Sequence, residues 1–194
     1  MIVIKQIYDN ELFEEASKVI KNAFCETKEK NGVVFAISDI NGFSLKKIIN
    51  DNNGICFGAW KDNNLVGTLS IIKQNINRWY AKGEVLKLRL VAVLPQYYGE
   101  HIGSQLVANA ISYCKENKYS SILVQTPANN TPAQKLYEKF GFIKVRFWSK
   151  GDHDVIDYFF WLDSMKPSKT KCNYMFLRSK LSTYIRKIFN RKLV

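Results

Sequence analysis

The stretch "VAVLPQYYGEHIGSQLVANAI", Val91 to Ile111, constrains the fold more than any other part of the chain. It opens as an apolar strand-like run, breaks at Pro95, crosses a loop holding Gly99 and Gly103, and continues with Leu106, Val107, Ala110, Ile111 and Cys114 on one helical stripe. A second buried-strand run, "SSILVQTP", follows, so the segment reads as a βαβ crossover within a mixed α/β domain. Such a loop turns main-chain N–H groups toward the start of a helix, where an anion is favoured. Taken alone, it is equally a turn that uses glycine for its geometry only.

The flanking segments complete the domain. Residues 2–6 read as a short strand, and Leu12, Phe13, Ala16, Val19, Ile20 and Phe24 recur at helical spacing behind Asn10, a candidate N-cap. A second helix is expected from about Ser44 through "SLKKIIND". "ICFGAW" and "LVGTLSII", joined by "KDNN", form a hairpin, and "EVLKLRLVAV", Glu84 to Val93, a central strand. "TPAQKLYEKFGF" is a helix with Pro132 in its first turn and Gly141 just past its end, and "IKVRFW" and "DVIDYFFWL" are two last strands. The order is β-α-α-β-β-β-α-β-α-β-β.

Composition excludes several classes of protein. With 46% hydrophobic residues in 194, the chain can bury one sizeable core and is not disordered as a whole. Cys25, Cys56, Cys114 and Cys172 stand singly and there are two histidines, so neither a metal site nor a disulfide framework is expected, and a reducing compartment fits. The N-terminus has the pattern of neither a signal peptide nor a membrane span, which makes a cytoplasmic protein the expectation. The net charge is +12, but nine of the 29 Lys and Arg and none of the 17 acids follow Asp163. That leaves 20 against 17, or +3, for residues 1–163, so the body is ordinary, the tail is basic, and no specific nucleic-acid binding is expected.

Two motifs together resemble the GCN5-related N-acetyltransferases. After a strand, this family carries [QR]-x-x-G-x-[GA] and then a helix; here Gln96, Tyr97, Tyr98, Gly99, Glu100 and His101 stand in that order, followed by Ile102-Gly103. A second family signature, an Asn, an Ala and L-Y-x-x-x-G-F, stands as Asn130, Ala133, Leu136, Tyr137, Gly141 and Phe142, one helix and one strand later. His101 departs from the family's Gly or Ala. The resemblance covers the first strand to about Asp163 and implies an acyl-CoA N-acyltransferase fold: a central mixed sheet flanked by helices over residues 1–163, with 164–194 as a basic amphipathic tail.

It also implies an enzyme that transfers an acetyl group from acetyl-CoA to a primary amine of a small molecule or peptide, by direct attack in a ternary complex and without a metal. The main chain of roughly Tyr98, Gly99, Glu100, His101, Ile102, Gly103 and Ser104 is expected to hold the pyrophosphate, with Gln96 as the motif's first residue. The strand holding Leu90, Val91, Ala92 and Val93 is expected to splay from "ILVQT" and pair with the pantetheine arm. Tyr137 is expected either to protonate the leaving thiolate or to pack in the core, and Asn130, with Ala133, either to contact cofactor or to cap the helix. Glu84 is a candidate general base with Asp152, His153, Asp154 and Asp157 as rivals, and an amine that deprotonates without a dedicated residue is the alternative.

The tail places Leu177, Leu181, Tyr184, Ile185, Ile188 and Phe189 at helical spacing among Lys and Arg. Such a stripe docks on the body, forms a homodimer contact or lies on an anionic membrane surface. The competing function is a non-catalytic module of the same fold, attached to membrane, RNA or a protein through this tail.

Overall fold

The computed structural model describes residues 1–31, 40–150, 153–163 and 166–191. Its elements are β1 (Ile2–Ile7), α1 (Asn10–Asn31), α2 (Gly42–Asp51), β2 (Ile55–Lys61), β3 (Asn64–Arg78), β4 (Ala81–Val93), a 3-10 turn at Pro95–Tyr97, α3 (Ile102–Glu116), β5 (Ser121–Pro127), α4 (Thr131–Lys139), β6 (Ile143–Lys150), β7 (His153–Trp161) and α5 (Lys169–Arg191). The seven strands form one sheet in the order β1-β2-β3-β4-β5-β7-β6. Every neighbouring pair is antiparallel except β4 and β5, the pair spanned by the α3 crossover.

Local chemistry sets the helix starts. Asp9 caps α1 by accepting the Leu12 N–H at 2.7 Å, whereas Asn10, the expected cap, lies one residue inside and accepts from Lys46 Nζ of α2. The start of α2 falls two residues before the expected Ser44, because Asn41 and Ser44 each accept the other's N–H at 2.8 Å in a capping box. β3 and β4 extend well past the expected runs, to a tip at Trp79-Tyr80.

Neighbouring residues of the strands divide between two faces. Phe57, Ile71, Leu86, Leu88, Ile122 and Val124 pack with Leu106, Val107 and Ala110 of α3 and Tyr137 of α4. Cys56, Leu65, Ile72 and Ala92 pack on the other face with Phe13, Ala16, Ile20, Leu45 and Ile49 of α1 and α2. Farther along that second face no helix is needed, since the tip of the β3–β4 hairpin covers Leu123, Val145 and Phe159 with Tyr80, Trp79 and Ile76.

Two features position the site. First, β4 pairs with β5 only through Leu86, Leu88 and the residue between them. Just beyond, Leu90 takes φ 52° at a bulge opposite Thr68–Ser70, its carbonyl held by Thr68 Oγ1 at 3.1 Å. The bulge turns the end of β4 away from β5 and opens the sheet. Second, α5 lies along the free edge of β6, where Phe147 N–H donates to Ser179 Oγ at 2.9 Å and Phe147 C=O accepts from Thr183 Oγ1 at 3.3 Å. Phe176 meets Phe147 edge-on and Tyr184 packs tilted against it, and Lys187 pairs with Asp154 at 2.6 Å, so the tail helix satisfies an edge that would otherwise be open. The side chains that dock are Cys172, Phe176, Ser179 and Thr183. Of the expected stripe, Leu177, Leu181, Ile185 and Ile188 are exposed, Tyr184 borders the contact, and the Phe189 side chain lies outside the described residues.

Candidate active site

The opening between β4 and β5 holds two contiguous cavities. One, of about 390 Å3, runs from Phe24 past Val91, Ala92 and Val93 to the Tyr97–Ser104 loop and along Asn130, Ala133 and Leu136. The other, of about 310 Å3, continues through the splay between Leu88–Val91 and Val124–Thr126, with Tyr137 on the α4 side. Phe24, Val91, Asn130 and Ala133 line both. Of the residues expected to hold cofactor, Leu90–Val93, Tyr98, Gly99, His101–Ser104, Asn130, Ala133 and Tyr137 thus come together around one continuous space. Gln96 lies in the 3-10 turn and Glu100 is turned outward, paired with Lys61 at 2.7 Å.

The loop is built for main-chain donors. The Tyr98 and Glu100 N–H groups donate to Pro95 and Tyr97 carbonyls. Among the described residues no protein acceptor takes the N–H of Gly99, His101, Ile102, Gly103 or Ser104, and the last three are the unpaired first turn of α3. Gly99 has φ 88° with open space around an added Cβ, so conformation and not crowding is what requires glycine in the unliganded loop. A Cβ on Gly103 would meet Leu136 at 3.5 Å in ordinary contact, so the packing of α3 on α4 does not itself demand glycine there. His101 sits at φ 60°, in the left-handed region, and is exposed with no side-chain cap bond. That conformation accounts for the glycine of the motif at this place, and histidine occupies it at a cost of about 1 kcal/mol.

Tyr137 is 4% exposed, with its ring against Phe142 and Tyr158 at 5.8 and 6.0 Å and its edge on the cleft. Burial pushes its phenol well above the usual tyrosine range, so it stays protonated and able to donate. Packing and cleft exposure, posed as alternatives in the sequence, coexist here. Asn130 caps α4, accepting the Ala133 N–H at 3.3 Å, while its side also lines the cavities.

The expected bases are not brought to the cleft. Glu84 lies toward the other end of β4, exposed and paired with Lys73 at 3.3 Å, and the lining begins at Lys87. Asp154 is engaged by Ser149 and Lys187, His153 is exposed at the β6–β7 turn, and Asp152 falls outside the described residues. Asp157 is 1% exposed and accepts from Tyr80 Oη (2.9 Å), Gln125 Nε2 (2.8 Å) and Trp148 Nε1 (2.7 Å), with Arg146 at 3.8 Å. Its lone pairs are committed to fixing Gln125 and Trp148, which form the cleft wall remote from α3.

Several cleft residues went unseen in the sequence: Lys87, Arg89, Gln125 and Thr126. A signal existed for the first two, because a central strand reading "LKLRLV" spends two cations where apolar residues would do.

Comparison with known proteins agrees with this geometry. The sequence pattern of the acetyltransferase (GNAT) family matches residues 20–142. A Bacillus subtilis protein named as a ribosomal protein bS18-alanine N-acetyltransferase is 30% identical over 70 residues, 34% of this chain and 46% of that protein. The N-alpha-acetyltransferase MAK3 of Arabidopsis thaliana is 29% identical over 92 residues, 47% of this chain and 46% of its own. The chain therefore spans about half the length of the curated relatives it matches. Among solved structures, a GNAT-family acetyltransferase from Staphylococcus aureus Mu50 superposes with TM-score 0.66 at 22% identity, over 84% of this chain and 100% of that one. The protein yncA of Salmonella typhimurium, solved with its cofactor acetyl-CoA, gives TM-score 0.65 at 13% identity, over 86% and 98%. The strand splay, the loop with its turned-out N–H groups and the matched sequence pattern agree: the chain belongs to the acetyltransferase (GNAT) family.

Proposed function

We propose that this protein is an acetyl-CoA-dependent N-acetyltransferase acting on a primary amine by direct attack in a ternary complex. The observation that carries this reading is the continuous cavity from the free N–H groups at the start of α3 to the buried Tyr137 edge. The residues fit the donor. The N–H groups of Gly99 and of His101 to Ser104 would hold the pyrophosphate at the positive end of α3, and the main chain of Val91 to Val93, unpaired with β5, would take the pantetheine amides.

Bound there, acetyl-CoA supplies an activated acyl carbon. The amine nitrogen attacks it, the C–N bond forms, the C–S bond breaks, and Tyr137 donates its proton to the departing sulfur. The amine loses one proton to solvent, from which Tyr137 is reprotonated, so acetyl-CoA and amine become amide and free thiol. No carboxylate of the described residues lines the cleft, so in this reading the amine enters neutral and needs no protein base. A thermal shift is the test: acetyl-CoA at 100 times a micromolar Kd should stabilise by about 2.7 kcal/mol, and no shift removes the reading.

Peripheral membrane attachment from a cytoplasmic setting accompanies this reading. The outer side of α5 exposes Tyr174, Leu177, Leu181, Ile185 and Ile188 between Lys180 and Lys187 on one border and Lys171 and Arg178 on the other. A second copy would set cation against cation, whereas an anionic lipid surface complements both the apolar stripe and its rim. Sedimentation with vesicles containing phosphatidylglycerol should carry the protein down and Leu181→Glu should release it; no difference from pure phosphatidylcholine, or dimerisation in solution, would overturn the assignment.

A further inference from the structure

The acceptor side of the cleft is cationic. Lys87 and Arg89 project from β4 on the face away from α3, since they alternate with Leu86 and Leu88, which pack against that helix. Arg89 stands where the β4–β5 pairing has just ended, opposite Gln125, Thr126 and Trp148 across the cavity of about 310 Å3. It is half-buried, and among the described residues it makes no hydrogen bond or ion pair; burial holds its guanidinium below the usual arginine range, with no carboxylate acting against that. Asp157, the buried carboxylate that holds Gln125 and Trp148, is already occupied by three donors and Arg146. A half-buried guanidinium whose five N–H donors are unspent among the described residues, in a cleft wall where no described acid stands, is costly unless something arrives to satisfy it.

We infer that the acceptor amine carries an anionic group, a carboxylate or a phosphate, and that Arg89 holds it. The inference rests on the transferase reading above and adds to it the substrate class. A guanidinium presents two parallel N–H donors to a carboxylate or phosphate, so it fixes orientation as well as charge, aiming the amine at the opening where the thioester would lie. Gln125 beside it supplies a further polar contact and is held in place by Asp157. The same positive surroundings disfavour a protonated amine, which agrees with a cleft in which no carboxylate of the described residues stands.

The experiment compares matched acceptors with the full chain and acetyl-CoA, reading thiol release. A carboxylate arm sets β-alanine against β-alaninamide, and a phosphate arm sets O-phosphoethanolamine against ethanolamine. The anionic member of at least one pair should be acetylated with the higher kcat/KM, and the arm that responds identifies the group. Arg89→Gln should lower that value roughly 10- to 100-fold, mostly through KM, with the neutral partner little changed; Arg89→Lys should recover part of it. Stabilisation by acetyl-CoA should persist in both variants, which separates failure of this inference from failure of the transferase reading. Equal use of neutral and anionic members, no turnover of either pair by a protein that acetyl-CoA still stabilises, or a neutral tetrapeptide acetylated equally by wild type and Arg89→Gln would each overturn it.

Discussion

The two walls of the cleft are made in different ways. On the α3 side the working groups are main-chain N–H donors and one tyrosine, placed by the eight-residue loop between β4 and α3 and one short helix. On the far side they are the side chains of Lys87, Arg89, Gln125 and Trp148, drawn from β4, β5 and β6, the last two held by the buried carboxylate of Asp157 from β7. A wall of backbone donors tolerates substitution of most side chains but not of backbone conformation. A wall of side chains is the reverse: the strands are rigid, and its chemistry depends on single residues linked through one buried hydrogen-bond hub.

That contrast can be broken most severely at the hub. Asp157→Ala leaves the Tyr80, Gln125 and Trp148 donors unmet in the interior and should cost about 3 kcal/mol, read as a lower urea midpoint at unchanged slope. If stability is unaltered, Asp157 does not organise this wall. On the opposite wall, Tyr137→Phe should reduce kcat about 100-fold while stabilisation by acetyl-CoA is kept; an unchanged kcat removes its acid role.

Smaller effects sharpen the picture of the loop. Gly99→Ala must place a Cβ at φ 88°, and should lose about 1 kcal/mol of stability and weaken acetyl-CoA binding, because the strain is in the backbone. His101→Gly does the opposite at φ 60°: it should raise stability by about 0.5 kcal/mol, the relief of strain outweighing the added chain entropy, without loss of acetyl-CoA binding. A fall in stability would mean that the His101 side chain contributes more than the conformation costs. The smallest expected effect is on pH dependence. Burial raises the Tyr137 pKa, so the folded protein keeps that proton to higher pH than a free phenol, and kcat should show no alkaline limb from its loss below about pH 10. A limb near neutrality that disappears in Tyr137→Phe would contradict the burial argument.

The order of elements, the crossover at Val91–Ile111 and the two motifs were legible because each is a local pattern: hydrophobic period, a proline, a glycine at a positive φ. Where local signals competed, the reading slipped by a residue or two. Asp9 took the cap expected of Asn10, and α2 starts two residues before Ser44 because Asn41 and Ser44 cap it reciprocally. Leu90 gave no sign of its bulge, being a leucine in a strand-like run, yet its positive φ is what opens the sheet. Glu84 had the right residue type in the right strand, but the register of β4 against β3 and β5 sets it beside Lys73 and short of the cleft.

By itself, then, the sequence determined the family, the strand and helix order and the donor-side loop, because those depend on residues close together in the chain. Only the tertiary structure decided what faces the acceptor. Lys87, Arg89, Gln125, Trp148 and Asp157 are separated by up to 70 positions and meet because β4, β5, β7 and β6 lie side by side. It also decided which side of the tail helix docks on β6 and which side stays exposed, since both sides carry apolar residues and only the sheet edge, whose Phe147 N–H and C=O take Ser179 and Thr183 as partners, distinguishes them.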